Sequence, residues 1–227
     1  MTLKNLRASL VTTLFVASGL ANAALITSDV GYDGPNIDLA AYENGSYNFT
    51  FGPESLPGGI TFTAAPGSGG NSGLGSVIGQ GSYGLSTNGS FGGDAVYIGV
   101  DSGTGYADLT FDTEVSFFGA YFNYAPGSGD VPTLFALDDL DNVIESYDIS
   151  SLAPISTPGG FNEFEFRGID LGNSTMKTFR FGGSYILLAG SSDGRVVQQP
   201  SPVSSPSVLL LLLMGVAAIM TRRYRAA

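Results

Sequence analysis

Short runs in which apolar and polar residues alternate constrain the fold of this chain more than any other feature. Apolar side chains take every second position in residues 107–112, 163–167 and 178–181. This period of two is that of a β-strand with one face on a core and the other in water. Turn-forming Gly, Asn, Asp and Pro residues bound the runs. The pattern therefore predicts an all-β domain.

Further segments suggest how the strands are arranged. Residues 115–124 are apolar or aromatic on both faces, which is typical of a strand in the middle of a fold, and we expect a neighbouring backbone to approach closely at Gly119. Six other segments have strand patterns: 60–64, 83–87, 95–100, 133–137, 143–149 and 185–189. Their spacing favours an antiparallel β-sandwich of jelly-roll type, with a closed barrel as the alternative.

Glycine is concentrated between residues 65 and 93, without the strict three-residue period of collagen. Such a composition predicts a long loop or a loosely paired edge region. Loops of this kind carry binding sites in many proteins, but a solvated connection explains the same residues.

The first 23 residues have the organisation of a secretory signal peptide. Two basic residues precede an apolar stretch over residues 10–20, and Ala21 and Ala23 follow immediately before Ala24. Small residues at these positions form a signal peptidase site of the A-x-A type. We expect cleavage between Ala23 and Ala24, with an uncleaved anchor as the alternative. The exported domain then spans residues 24–196.

The end of the chain has three parts. A Pro/Ser-rich linker over 197–207 is followed by a candidate transmembrane helix over 208–221 and a basic tail over 222–227. The apolar run holds no charge, and arginines follow it at once, so it can enter a bilayer with its end on the cytoplasmic side. As a helix, residues 208–220 span about 20 Å, less than the roughly 30 Å of a hydrocarbon core. The segment is short for a permanent anchor.

This tail resembles the PEP-CTERM sorting signal of bacteria, in which a Val-Pro-Glu-Pro-like motif precedes an apolar helix and an arginine cluster. The matching segment runs from Val203 to Ser207, with Val203 and Pro206 as the retained motif positions. The apolar run that follows contains Gly215, Ala217 and Ala218. Ser204 and Ser205 stand where the family usually has Pro and Glu. The basic end matches at Arg222, Arg223 and Arg225.

The resemblance implies recognition by a membrane-embedded exosortase, cleavage near the motif, and passage from an inner-membrane intermediate to the cell surface or extracellular matrix. The body also looks like the β-sandwich ectodomains of such proteins, in the Phe-Gly-Ala-Tyr-Phe run at 118–122 and the Phe-Arg-Phe-Gly-Gly run at 179–183. That second resemblance implies no binding or catalytic residue in this chain. A plain stop-transfer anchor that holds a periplasmic module is the alternative for the tail.

Charge and composition exclude several function classes. The exported body carries four basic residues against 20 acidic ones, a net charge of −16, which repels nucleic acid. The chain contains no histidine and no cysteine. These two absences rule out Ser-His-Asp and Cys-His catalysis, histidine-ligated zinc and disulfides.

Two acidic patterns are candidates for chemistry. Glu163 and Glu165 stand two positions apart, as a carboxylate pair of a carbohydrate hydrolase could on one sheet face, although any solvent-facing strand gives this pattern. Asp138, Asp139 and Asp141 offer the oxygen ligands that calcium prefers, and a hairpin turn explains the same residues.

Sugars commonly stack on aromatic side chains, and this chain has no tryptophan. Tyrosine is therefore the available platform, although most tyrosines should lie in the core or in cross-strand pairs. The candidates are Tyr97, Tyr106, Tyr121, Tyr124 and Tyr185.

Taken together, these patterns predict an exported, non-enzymatic protein of the cell envelope or extracellular matrix, with no catalytic or cofactor-binding residue. Glycan and calcium are the candidate ligands of its β-domain. The expected partners are signal peptidase, an exosortase-like enzyme, the membrane and polysaccharide. The alternatives are a cell-surface carbohydrate hydrolase and a permanently anchored periplasmic module.

Overall fold

The computed structural model describes residues 23–69, 73 and 75–189. The predicted signal peptide up to residue 22 and the predicted linker, transmembrane helix and basic tail over 197–227 lie outside these residues. In the described ranges, no helix combines the length and hydropathy that crossing a membrane requires.

The described residues fold almost entirely as strands. The first eight are β1 Ala24–Ile26, β2 Tyr47–Thr50, β3 Glu54–Leu56, β4 Ile60–Ala64, β5 Ser76–Gln80, β6 Tyr83–Gly84, β7 Ser90–Phe91 and β8 Val96–Gly99. The others are β9 Tyr106–Val115, β10 Phe117–Asn123, β11 Thr133–Leu137, β12 Val143–Asp148, β13 Glu165–Asp170, β14 Met176–Gly182 and β15 Leu187–Ala189. Helical turns are the four-residue α1, Ile149–Leu152, and 3-10 turns at Ala40–Tyr42 and Ser86–Asn88.

Two large antiparallel sheets make up the fold, so the all-β, antiparallel prediction is confirmed. Sheet A has seven strands in the order β1-β13-β10-β15-β8-β5-β2, and sheet B has six in the order β12-β11-β14-β9-β4-β3. Strands β6 and β7 pair separately as a short ribbon. Each large sheet ends in edge strands, so the described strands do not close into one barrel.

The two sheets pack face to face on a common hydrophobic core. Phe118 and Phe122 of sheet A lie against Phe179 of sheet B, with ring centroids 4.7 and 6.1 Å apart. All three rings are fully buried. Two sheets that share one core in this way form a β-sandwich-like fold.

Strands β9 and β10 connect the sheets most directly, because only Ser116 separates them in the chain although they belong to different sheets. Ala107, Leu109 and Phe111 of β9 are buried in the core, as its alternation predicts. Strand β10 lies between β13 and β15 inside sheet A. The prediction of a central strand over residues 115–124 is confirmed for residues 117–123, whereas Val115 ends β9 of the other sheet.

A second apolar layer covers the outer face of sheet A. Phe91 stacks on Phe164 with ring centroids 4.1 Å apart, and both pack in a cluster with the fully buried Tyr97. Strands β5, β8 and β15 of sheet A are therefore buried on both faces. The outward-facing side chains of sheet B, such as Thr63 and Thr133, are partly exposed.

This outer layer overturns the predicted orientation of residues 163–167, in which the phenylalanines were expected on the core side and the charges in water. Phe166 lies opposite Tyr121 and packs on the outer face against Tyr32, with ring centroids 5.1 Å apart. Arg167 lies opposite the core residue Ala120 and is buried. The sequence of one strand does not reveal that loops cover its second face.

The prediction of a loop or loose edge over residues 65–93 was wrong for β5, which is fully buried between β8 and β2. A Cβ atom at Gly75 would lie 2.3 Å from the carbonyl of Thr50, and one at Gly79 would lie 2.5 Å from the carbonyl oxygen of Ser46. Glycine at these positions permits a close approach of two strands, and does not mark a flexible loop.

A close approach at Gly119 is confirmed, and its nearest neighbour is a side chain. A Cβ atom at Gly119 would lie 2.4 Å from the ring of Phe166. Gly168 of β13 pairs with Gly119 in the sheet. A Cβ atom at Gly168 would lie 2.4 Å from the carbonyl oxygen of Phe118. Backbone also approaches Gly119, with the carbonyl oxygen of Arg167 3.3 Å from such a Cβ atom, but the tighter backbone contact is the one at Gly168.

Gly168→Ala is expected to lower the free energy of unfolding by about 1–3 kcal/mol, because the new methyl group must displace backbone. Gly84→Ala is the matched control, since a Cβ atom there meets nothing within 4 Å. Chemical denaturation of both variants measures the difference. Equal losses in the two would contradict this interpretation of the Gly119–Gly168 pair.

Candidate functional site

The acidic turn predicted as a calcium site connects β11 to β12. The carboxylate of Asp138 accepts hydrogen bonds from the backbone N–H groups of Leu140 and Asn142, at 2.9 and 2.8 Å, and from Nδ2 of Asn142 at 2.9 Å. These bonds, the Asn142 side chain foremost, hold the pKa of Asp138 below its ordinary value. Asp141 adopts a left-handed backbone with φ of +61°. A tight Asx-type turn accounts for these features.

Within residues 23–69, 73 and 75–189, no group of three or more acidic side chains converges as a metal site. The carboxylates of Asp138, Asp139 and Asp141 therefore follow the geometry of a turn. Calcium binding by this turn stays a prediction.

The two glutamates considered as a catalytic pair have different surroundings. Glu163 is exposed ahead of β13, whereas Glu165 forms an ion pair with Arg167 at 2.6 Å. The buried guanidinium of Arg167 also donates to the carbonyl oxygens of Ala153 and Pro154, at 2.8 and 3.1 Å. Glu165 thus neutralises a buried cation that fixes the segment after α1.

A buried hydrogen-bond network that the sequence did not predict joins three segments, which are the Ser86–Asn88 turn, the end of β10 and the connection between α1 and β13. Nδ2 of Asn88 donates to the carbonyl oxygen of Ile155 at 2.9 Å, and Oδ1 of Asn88 accepts from the N–H of Thr157 at 3.2 Å. Nδ2 of Asn123 donates to Oγ1 of Thr157 at 3.0 Å and to the carbonyl oxygen of Glu163 at 2.9 Å. The network holds these segments in a fixed arrangement.

A cavity of about 500 Å³, here called the loop-end cavity, borders this network, since Asn88 and Ile155 contribute to its lining. The loop between β10 and β11 and the segment after α1 form most of its walls. Its lining includes Asn88, Tyr124, Pro126, Pro132, Pro154 and Ser156. The ring of Tyr124 is buried, and its hydroxyl accepts a hydrogen bond from the N–H of Ile155 at 3.2 Å.

A second cavity of about 420 Å³, here called the sheet-face cavity, lies on the outer face of sheet B. Strands β9, β11, β12 and β14 contribute its side chains. Its lining includes Tyr106, Thr133, Phe135, Val143, Arg180 and Gly182. Gly182 pairs with Thr133 of β11 on one side and with Tyr106 of β9 on the other. Because glycine has no side chain, a gap separates Thr133 from Tyr106 on the face of the sheet.

Arg180 is held rigidly in the sheet-face cavity. Its Nε and Nη2 atoms donate to the two carboxylate oxygens of Asp108, at 2.7 and 2.9 Å. Its guanidinium carbon lies 3.8 Å from the centre of the Tyr106 ring. The hydrogen bond to Asp108 raises the pKa of Arg180 above its ordinary value. Bidentate pairing and stacking together fix the guanidinium plane.

The tyrosines predicted as sugar platforms divide by burial. Tyr97 and Tyr124 are buried, and Tyr121 and Tyr185 are partly buried in or beside the outer apolar layer. Tyr106 is 36% exposed and lines a cavity. Sequence reasoning therefore named one residue of the sheet-face cavity, and missed Arg180 and Gly182.

Searches of protein-family models and of curated protein sequences give no match to this chain.

Proposed function

We propose that this chain is an exported, surface-sorted, non-enzymatic protein of the cell envelope or extracellular matrix, whose ligand-binding domain is a jelly-roll-type sandwich. One observation carries the proposal: the edge strand β1 begins at Ala24, the first residue after the expected signal peptidase site. Ala24 pairs with Asp170 of β13. Cleavage before Ala24 therefore leaves every described strand whole.

The path of the chain supports the jelly-roll type. From β9 to β15 the strands belong in turn to sheets B, A, B, B, A, B and A. Repeated crossing between two antiparallel sheets is the connectivity that jelly rolls share. The PEP-CTERM-like tail, with Val203, Pro206 and the terminal arginines, supports sorting to the surface after export.

The surroundings of the glutamates support a non-enzymatic role. The carboxylate of Glu165 is engaged by Arg167, and neither Glu163 nor Glu165 lines the sheet-face or the loop-end cavity. A retaining or inverting hydrolase needs two carboxylates on opposite sides of a bound sugar. The two cavities are instead suited to binding.

Ala21→Arg is expected to block signal peptide removal, because a large charged residue does not fit a site for small side chains. The full-length chain, expressed in a Gram-negative host, should then remain in the inner-membrane fraction with residues 1–23 attached. Asn22→Gln is the control, since it changes the intervening position, and should be processed to Ala24. Normal processing of Ala21→Arg would contradict the assigned cleavage site.

A further inference from the structure

We propose that the sheet-face cavity binds a stretch of neutral polysaccharide. The inference rests on the proposed function, in which the exported domain binds a ligand and performs no catalysis. The cavity volume of about 420 Å³ lies within the range of roughly 300–1,000 Å³ that small-molecule sites occupy.

The cavity has an apolar surface suited to the C–H face of a sugar ring. Phe135 and Tyr106 are partly exposed on opposite sides of Arg180 and Gly182, and Val143 of the edge strand is 56% exposed. The gap at Gly182 lets a flat ligand approach the sheet between these side chains. Aromatic rings next to fixed polar groups suit a ligand that is apolar on one face and hydroxylated at its rim.

The polar groups of the cavity are fixed before any ligand arrives. Asp108 engages Nε and Nη2 of Arg180, which leaves the Nη1 donors outside this pair. The side chains of Arg180 and Asp108 are only 22% and 16% exposed, so their mutual orientation is well defined. A preorganised donor and acceptor that lie side by side match neighbouring sugar hydroxyls and cost little ordering on binding.

Charge favours a neutral polymer over an anionic one. Among the described residues that line the cavity, Arg180 is the only cation, and Asp108 already neutralises it. The acidic Asp130 also contributes to the wall. The body around the site carries a net charge of −16. An anionic polysaccharide would meet repulsion, and the described lining residues include no unpaired cation to offset it.

The arrangement of the two cavities favours a polymer over a single sugar. Asp130 and Val131 line both the sheet-face cavity and the loop-end cavity, so the two share a wall. This wall is fixed, because the N–H of Asp130 donates to the carbonyl oxygen of Gly103 at 2.7 Å and its carbonyl accepts from Oγ of Ser184 at 2.7 Å. A chain of sugars can therefore extend from one cavity across the shared wall of Asp130 and Val131 towards the other.

Affinity gel electrophoresis of the mature protein tests the inference. The neutral probes are hydroxyethylcellulose, dextran, galactomannan and xyloglucan, and the anionic probe is polygalacturonate. We expect at least one neutral polymer to slow the protein, and polygalacturonate to leave its mobility unchanged. Phe135→Ala and Val143→Asp should each weaken the retardation about tenfold or more.

Two matched substitutions serve as controls. Ile144→Asp is the control for Val143→Asp, because it adds the same charge at the next residue of β12, which lies outside the cavity lining. Phe161→Ala is the control for Phe135→Ala, because it removes an exposed ring that does not line the cavity. Both should bind as the wild type does. Because Val143 is on an exposed edge strand, Val143→Asp keeps the test decisive if Phe135→Ala does not fold.

Retardation by none of the neutral polymers, or equal loss in Val143→Asp and Ile144→Asp, would overturn the assignment of this site. The mature termini of the same purified protein report export and processing separately. A failure of glycan binding is thus distinguishable from a failure of the proposed function.

Discussion

Phe179→Ala is expected to lower the free energy of unfolding by about 3–5 kcal/mol, the range for removing a large buried aromatic side chain. Phe179 is fully buried in sheet B and lies against Phe118 and Phe122 of sheet A. Its removal leaves a cavity at the centre of the contact between the sheets. Denaturant titration followed by tyrosine fluorescence and far-UV circular dichroism measures the loss.

Phe161→Ala is the matched control, because the same atoms are removed from a ring that is 62% exposed. Its free energy of unfolding should stay within about 0.5 kcal/mol of the wild type, as for most surface substitutions. If the two variants lost similar stability, the shared core of sheets A and B would be wrong.

Asn88→Ala is expected to cost about 3 kcal/mol or more, although asparagine is ordinarily a surface residue. The substitution leaves the carbonyl oxygen of Ile155 and the N–H of Thr157 without the partner they have in the fold. Each buried polar group deprived of its hydrogen bond costs roughly 1–3 kcal/mol. Thermal and chemical unfolding of the variant measure the combined loss.

Two comparisons show whether that loss belongs to the network. Asn173→Ala, at an exposed asparagine, should change stability by less than about 0.5 kcal/mol. The double variant of Asn88→Ala with Asn123→Ala should lose less than the two single losses added together, because both residues serve the same network. Strict additivity would show that the two asparagines act independently.

Local patterning predicted several strands closely. The predicted segments 60–64 and 133–137 coincide with β4 and β11, because each alternates between core and outward-facing positions and is bounded by turn residues. Predicted strand 143–149 ends one residue early, since Asp148 caps α1 by accepting from the N–H groups of Ser150 and Ser151. Predicted strand 83–87 is present only as Tyr83–Gly84.

The misses have a common physical cause, which is that tertiary contacts decide what a local pattern means. Glycine is disfavoured in strands, so β5 resembles a loop until its close approach to β2 is known. Phe166 was expected on the core side and Arg167 in water. Phe166 instead packs on the outer face of sheet A and Arg167 is buried on the opposite face, because loops cover the outer face. Neither fact is present in the residues of the segment itself.

The candidate site was less predictable than the fold for the same reason. The sheet-face cavity depends on the register that places Gly182 opposite both Thr133 and Tyr106, residues far apart in the chain. Asn88 and Thr157 are likewise 69 positions apart. A tyrosine available for sugar stacking could be named from composition, but its neighbours follow only from strand order.

Export and surface sorting are tested by the intact mass of the protein recovered from the surface or medium of a Gram-negative host. We expect a chain that begins at Ala24 and has lost the segment after about Pro206, with its apolar run and arginines. A chain that still carries Met1 and ends at Ala227, found in the cytosol, would contradict this expectation.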